Sequence, residues 1–299
     1  MNKGHITIVA DYGGGYQRSD FAFIEVKQEM LHYFGESRID HVSVPAFDTL
    51  GTGFLVAQLA LRQKSENGKK AENRIIYHNT APREDDLGKR LTNKGEGLAY
   101  CQLKNGVHVI GVNAGYTFSF LKPYVDQIWQ VDIGDTKSQF RSRDNFPQKA
   151  FHVIAKKDKS FLTEEIRQHI PDMYTGEIQT APNGQKAIDG NRVYIDGYGN
   201  IKLDIAERHF HEAFFQGQSV EIQIGDIVRP AIISYEGMFS VPRNDNQSPL
   251  VLSQGSSGWD LGDSSLSFMQ ISQRYGSAAA HFPGIEKREN QKVKITSIA

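Results

Sequence analysis

The sequence predicts an α/β N-terminal domain, a Rossmann-like layered sheet over residues 1–175, and a small all-β domain over residues 188–299. Three observations carry that prediction. Through the first half, β-branched runs alternate with segments whose apolar residues recur at helical spacing, as in layered α/β folds. From Pro171 to Asp189 the texture changes to Pro182-Asn183-Gly184 with few apolar runs, which reads as a linker. Beyond it, short strand candidates separated by glycine and polar turns suggest a barrel or a sandwich.

The first strand, Ile6-Thr7-Ile8-Val9-Ala10, ends in Asp11 and a turn carrying Gly13-Gly14-Gly15. A carboxylate at the end of a sheet strand can reach a ribose hydroxyl, and glycines let a ligand approach the backbone. The alternative is that Asp11 caps the helix that follows. Asp20 is itself an N-cap candidate for that helix, whose apolar positions are Ile24, Leu31 and Phe34. A strand at His41–Val44 leads to Asp48, a second cap, and to a stripe of Leu50, Phe54, Ala57 and Leu61. After the polar stretch 64–73, a third strand at Arg74–Tyr77 runs into His78-Asn79-Thr80. The charged stretch from Arg83 to Gly97 reads as a solvated loop, with a lid over a site as the alternative. Leu98–Leu103 and Val107–Val112 flank Asn105-Gly106, a hairpin signal. A strand at Ile128–Ile133 and a helical segment from Phe140-Arg141-Ser142-Arg143-Asp144 to about Lys157 complete this half. The later strand candidates are Val193–Ile195, Ile201–Ile205, Val220–Ile224, Ala231–Tyr235, Leu250–Leu252, Ser267–Ile271 and Val293–Ile298.

Composition narrows the classes. With 34 basic and 35 acidic residues the formal charge is −1, so neither nucleic acid nor an anionic membrane is the expected partner. No apolar run approaches the ~20 residues that span a bilayer. No signal peptide is visible ahead of Ile6, and a cytoplasmic location is expected. The single cysteine, Cys101, lies among apolar neighbours and reads as a buried, inert thiol. His209-Phe210-His211 is the one close histidine pair and reads as a surface feature, so no metal site is expected. Neither a Gly-x-Ser-x-Gly elbow nor a Walker loop occurs.

Five motifs fall in order along the chain: the Asp11 turn, Phe47-Asp48 with Gly53–Gln58, Ser142-Arg143-Asp144, Asp196-Gly-Tyr-Gly-Asn200, and Gly276-Ser277-Ala278-Ala279. Together they resemble the S-adenosylmethionine hydroxide adenosyltransferases, the family that includes the fluorinase and chlorinase enzymes. The resemblance implies an α/β first domain and a β-barrel second domain. It also implies a homotrimer whose small adenosyl ligand lies between one subunit's first domain and its neighbour's second. S-adenosylmethionine is then a substrate or ligand, with no further cofactor. By position, Asp11 would hold the ribose hydroxyls, and Phe47 would lie near ribose and adenine. Asn200, with the backbone of Ala278 and Ala279, would read the adenine edge. Asp196 would engage the methionine amino group, and Ser264 or Ser265 its carboxylate; Tyr198 belongs to the same binding set.

The family reaction is displacement at the ribose 5′ carbon, with methionine leaving as a thioether. Hydroxide-transferring relatives use an Asp, an Arg and a His. This chain has Asn79 where the Asp would stand and Arg141 where the His would stand. The Arg position falls near Asp86, with Arg83 or Arg90 able to substitute in space. Ser142 matches a serine that the fluorinase uses against its halide. Asn79, Arg141, Ser142 and Arg143 are therefore expected around the nucleophile, which is water in the first reading and halide in an alternative. A third reading is an adenosyl-binding protein without turnover.

Overall fold

The computed structural model describes residues 4–13, 20–62, 71–83, 85–135, 137–242, 248–260 and 265–298. The chain divides into two compact units, Met1–Met173 and Tyr174–Ala299.

In the first unit, β1 (His5–Ala10), β2 (Arg38–Ser43) and β3 (Arg74–Asn79) are parallel, with β1 in the middle. β5 (His108–Asn113) continues the parallel set beside β3. β4 (Gly97–Gln102), β6 (Trp129–Val131) and β7 (Leu162–Glu165) extend the sheet antiparallel. The order is β2-β1-β3-β5-β4-β6-β7. Because alternate strand residues face opposite sides, the two faces of β1 bury different partners. Ile6, Ile8 and Ala10 join one core with Phe23, Val26 and Met30 of α1 (Phe21–Phe34) and with Phe146 and Ala150 of α4 (Phe146–Ala150), which follows α3 (Arg141–Asp144). α2 (Thr49–Leu61) is buried along most of its length, as expected of a helix that is apolar all round. Asp20 caps α1 through the Ala22 N–H (2.9 Å), and Asp48 caps α2 through the Gly51 N–H (2.8 Å), both as expected.

The second unit is a closed barrel. β9 (Lys186–Ile195), β10 (Ile201–Ala206), β11 (Ser219–Ile224), β12 (Ile227–Ile233), β13 (Leu250–Asp260), β14 (Ser265–Gln273) and β15 (Lys292–Ser297) pair in the order β10-β14-β13-β12-β11-β15-β9, and β9 returns to β10. β8 (Glu177–Thr180) adds to the outside of β9. The barrel is filled by Ile188, Leu203, Ile222, Ile233, Leu252, Met269 and Ile295, with Phe210 and Phe214 from and just after α5 (Glu207–Ala213). Of the two all-β alternatives, the barrel is the one that forms.

The linker expected between Pro171 and Asp189 is a correction. Residues 177–180 are β8, and β9 begins at Lys186, so the second unit starts well ahead of residue 188. Pro182-Asn183-Gly184 is the turn of a β8–β9 hairpin, closed by the Gly184 N–H on the Ala181 carbonyl. β8 is mostly polar because it is an edge strand with little to bury, so its low hydrophobicity does not signify an absence of structure. The strand β7, equally polar, leaves no apolar signal for the same reason.

Candidate functional site

In the first unit the parallel strands place the candidate site. The chain leaves β1 for β2 on one side and then crosses to β3 on the other, which opens a crevice at the carboxyl ends of β1 and β3. A cleft of about 1120 Å³ occupies that place. Asp11, Phe47, Asn79, Arg141 and Ser142 all line it, so five of the expected residues meet in one space.

Asp11 does not cap the helix that follows. Its Oδ2 accepts the Phe47 N–H at 2.9 Å, and Asp20 does the capping. Phe47 has a left-handed backbone, φ +63°, a conformation that costs a non-glycine residue about 1–3 kcal/mol and persists where the surroundings fix it. Arg83, likewise left-handed at φ +59°, carries its guanidinium 6.0 Å from the Phe47 ring. Burial pushes the Asp11 carboxyl up to about 6, against the lowering effect of the Phe47 and Asp11 N–H groups and of Arg83. Gly14, Gly15 and the Tyr16-Gln17-Arg18 stretch lie outside the described residues, as does Ser264.

Beneath the cleft, Tyr12 packs edge-on against Phe23 (5.0 Å) and Phe140 (5.8 Å). The Tyr77 hydroxyl donates to the Ser142 carbonyl at 2.7 Å, tying the end of β3 to α3. These tyrosines fix α3, and with it the side chains of Arg141 and Ser142. Arg143 turns elsewhere: its guanidinium binds Glu25 at 2.9 Å and Asp144, and it is not among the cleft-lining residues.

The stretch Arg83–Gly97, expected to be a solvated loop, contributes the cleft's charged wall, which is a correction. A 3-10 turn at Leu87–Thr92 folds it back. The Arg90 guanidinium binds both oxygens of Asp85 (3.0 and 2.6 Å). Arg141 then bridges Asp85 Oδ2 (3.0 Å) and Glu96 Oε2 (2.8 Å), and the Glu96 N–H donates to Asp85 Oδ1 (2.9 Å). Hydrogen bonds from Arg90, outweighing burial, hold the Asp85 carboxyl far below the usual carboxylate range. Arg90 thus reaches the cleft, as one of the two substitutes considered for the missing arginine. Glu96 was not foreseen. Its signal was an acid held between Gly95 and Gly97 at the mouth of an apolar strand.

In the second unit, Asp196 closes a tight turn. Its Oδ1 accepts the Tyr198 and Asn200 N–H groups (3.0 Å each), and its Oδ2 accepts the Asn200 amide (3.0 Å) and lies 3.3 Å from Lys202 Nζ. Although burial alone would raise it, the Asn200 hydrogen bonds and Lys202 hold the carboxyl below its ordinary value. Tyr198 projects from this turn, 84% exposed. The turn is stapled to the expected Ala278-Ala279 segment, because the Ala279 N–H donates to the Gly199 carbonyl at 2.9 Å. The Ala279 carbonyl in turn accepts the Phe282 N–H. Ser265 opens β14 opposite Asp260.

Cys101 is buried, and burial pushes its thiol up to about 12, which fits an inert thiol. His211 stacks on Tyr235 at 3.8 Å, and His209 Nδ1 lies 3.1 Å from the Thr175 carbonyl oxygen. Among the described residues no group of three or more His, Cys, Asp or Glu side chains is arranged to hold a metal. No helix among them is long and apolar enough to cross a membrane.

No protein-family model matches the chain, and no curated protein does. Solved structures do. An uncharacterized conserved protein from Thermotoga maritima aligns with a TM-score of 0.66 at 13% identity, covering 97% of this chain and 99% of that one. A conserved hypothetical protein from Thermus thermophilus aligns with a TM-score of 0.60 at 14% identity, covering 98% and 99%. At such identities the likeness is one of fold.

Proposed function

We propose that the chain is an S-adenosylmethionine-binding adenosyl-transfer enzyme that displaces methionine from the ribose 5′ carbon with water, giving adenosine and methionine. The observation that supports this reading best is the position of Asp11. It stands at the carboxyl end of the central parallel strand, beside a cleft large enough for a nucleoside, with one oxygen fixed by the Phe47 N–H. The 2-1-3 order of parallel strands with a ligand at their carboxyl ends is a Rossmann-like arrangement, and a fixed carboxylate there suits the two hydroxyls of a ribose. The sulfonium carries its own activation, so the protein needs mainly to align the reactants and exclude bulk water. Phe47 and Arg83 would cover the sugar, and Arg141 with Ser142 would flank the 5′ carbon. Asp196 and Asn200, with Tyr198, Ser264 or Ser265 and Ala278-Ala279, belong to the reading as the amino-acid and adenine contacts. A cytoplasmic homotrimer with the ligand shared between neighbouring subunits belongs to it as well.

The test is incubation of the purified protein with S-adenosylmethionine in chloride-containing buffer, with products separated by chromatography. Adenosine and methionine in equal amounts are expected. A 5′-chloroadenosine peak would move the assignment to halide transfer through Ser142. Binding without any product would leave an adenosyl-binding protein, a reading that Asn79 in place of a carboxylate favours. Neither binding nor product would remove S-adenosylmethionine from consideration.

A further inference from the structure

The residue at the expected proton-accepting position, Asn79, cannot take a proton near neutral pH. The cleft nevertheless contains a carboxylate with one oxygen left over. Glu96 is 9% exposed and lines the cleft with Asn79, Arg141 and Asp11. Its Oε2 is held by the Arg141 guanidinium at 2.8 Å. Its Oε1 is buried and has no hydrogen-bond partner among the described residues. A buried acceptor of this kind is costly unless something satisfies it. A bound molecule with a hydroxyl to donate would remove that cost.

We infer that Glu96 is the general base of this cleft, with Oε1 taking a proton from the water that attacks the adenosyl group. The inference rests on the adenosyl reading above and deepens it by choosing the nucleophile. In the step, the water oxygen bonds to C5′ as the C5′–S bond breaks. The electron pair of that bond stays on sulfur, which leaves as the neutral thioether of methionine. The proton shed by the water passes to Glu96 Oε1. A halide has no proton to offer, and a carboxylate oxygen beside it is repulsive, so the same group that accepts from water disfavours chloride.

The wall around Glu96 is built for holding it still. Arg141 is shared between Glu96 and Asp85, Asp85 is clamped from its other side by Arg90, and the Glu96 N–H is anchored on Asp85. Asp11 is the remaining acid whose charge Glu96 influences. Arg141 is thus a positioning residue: it holds Oε2 and orients the carboxylate, leaving Oε1 as the oxygen without a partner among the described residues.

The experiment compares wild type with Glu96→Gln, measuring S-adenosylmethionine binding by calorimetry and adenosine release by chromatography. Expected for Glu96→Gln are binding within a few-fold of wild type and turnover lowered about 10²–10⁴-fold. Turnover near the wild-type rate overturns the inference. Wild type that binds the ligand and releases no adenosine overturns it too. Wild type that does not bind sinks the adenosyl reading itself, visibly in the calorimeter, and Glu96's role falls with it. Should Glu96→Gln also lose binding, Glu96→Asp keeps the charge on Arg141. Binding restored with turnover still down about tenfold or more supports the role. Turnover restored in step with binding marks Glu96 as structural and overturns it.

Discussion

One oxygen of Asp11 holds the left-handed Phe47 backbone by accepting its N–H; in the proposed reading the carboxylate also takes the ribose hydroxyls. Asp11→Ala leaves that N–H without its acceptor, and a loss of about 1–3 kcal/mol is expected in urea unfolding. Asp11→Asn, which keeps an oxygen for Phe47, is expected to lose much less stability and still lose ligand affinity. The pH dependence separates binding from folding. The Asp11 carboxyl stands at about 6 against an ordinary 3.8 because burial raises it. Its contribution to stability is therefore complete below 3.8 and lost as pH rises through about 6. If the ionised form accepts from ribose hydroxyls, S-adenosylmethionine affinity moves the opposite way, rising through that window and levelling above it. Calorimetric titration across the window, with Asp11→Asn as the flat control, checks the sign. Phe47 entered only through the resemblance, whereas Asp11 and Asp48 were legible because a strand end and a cap each leave a local signature. Glu96 was not, because its partners Asp85 and Arg141 are 11 and 45 residues away in sequence.

At the scale of elements, α2 and the Asp196 turn show how close approach is encoded. A Cβ at Gly53 would lie 2.1 Å from the Tyr116 carbonyl oxygen, so this helix packs against the segment after β5 through a bare Cα. Alanine is the better helix former by about 1 kcal/mol, and the collision exceeds that gain. Gly53→Ala is expected to lower stability by about 1–3 kcal/mol, read by chemical unfolding. Gly199 has φ +78°, and a Cβ there would sit 2.0 Å from Ser277 Oγ. Gly199→Ala is expected to undo the Asp196–Asn200 turn together with its staple to Ala279. A lower melting temperature and loss of the Asn200 amide's protection from exchange are the readouts. Both helices of the first layer, their caps and the barrel strands were readable from local pattern. The buried face of α1 is a correction: Ile24, read as one of its apolar positions, is 57% exposed, while Phe23, Val26 and Met30 face the core. The edge strands β7 and β8 were not, since an edge strand needs few apolar residues and gains its order from pairing.

For the molecule as a whole, the second unit carries a pH dependence of its own. Asp204 is fully buried in the barrel, where Asn191 donates to it twice, from the N–H and from the side-chain amide, each at 2.6 Å. Burial raises its carboxyl to about 7, with Asn191 and Lys292 opposing. Stability from this group is complete below 3.8 and is lost as pH rises through about 7. Thermal unfolding of the barrel is thus expected to shift downward across that range, and Asp204→Asn to flatten the shift. The two tryptophans make this measurable, because Trp129 lies on β6 and Trp259 on β13. A Trp129→Phe background leaves only the barrel's indole to report.

By itself the sequence determined two layers of information: where chain segments become strand or helix, and which of them bury a face. Those follow from apolar period, caps and turn residues, all of which act over a few positions. It also carried the strand-end carboxylate and the order of the motifs. Residue patterning left barrel and sandwich open, and only the resemblance pointed to a barrel. Tertiary structure decided it, since closure depends on β9 meeting β10 as well as β15. It also decided what the charged stretch is for. Ion pairing between Asp85, Arg90, Glu96 and Arg141 depends on distances that only folding creates, and it turns a hydrophilic segment into the wall of a cleft.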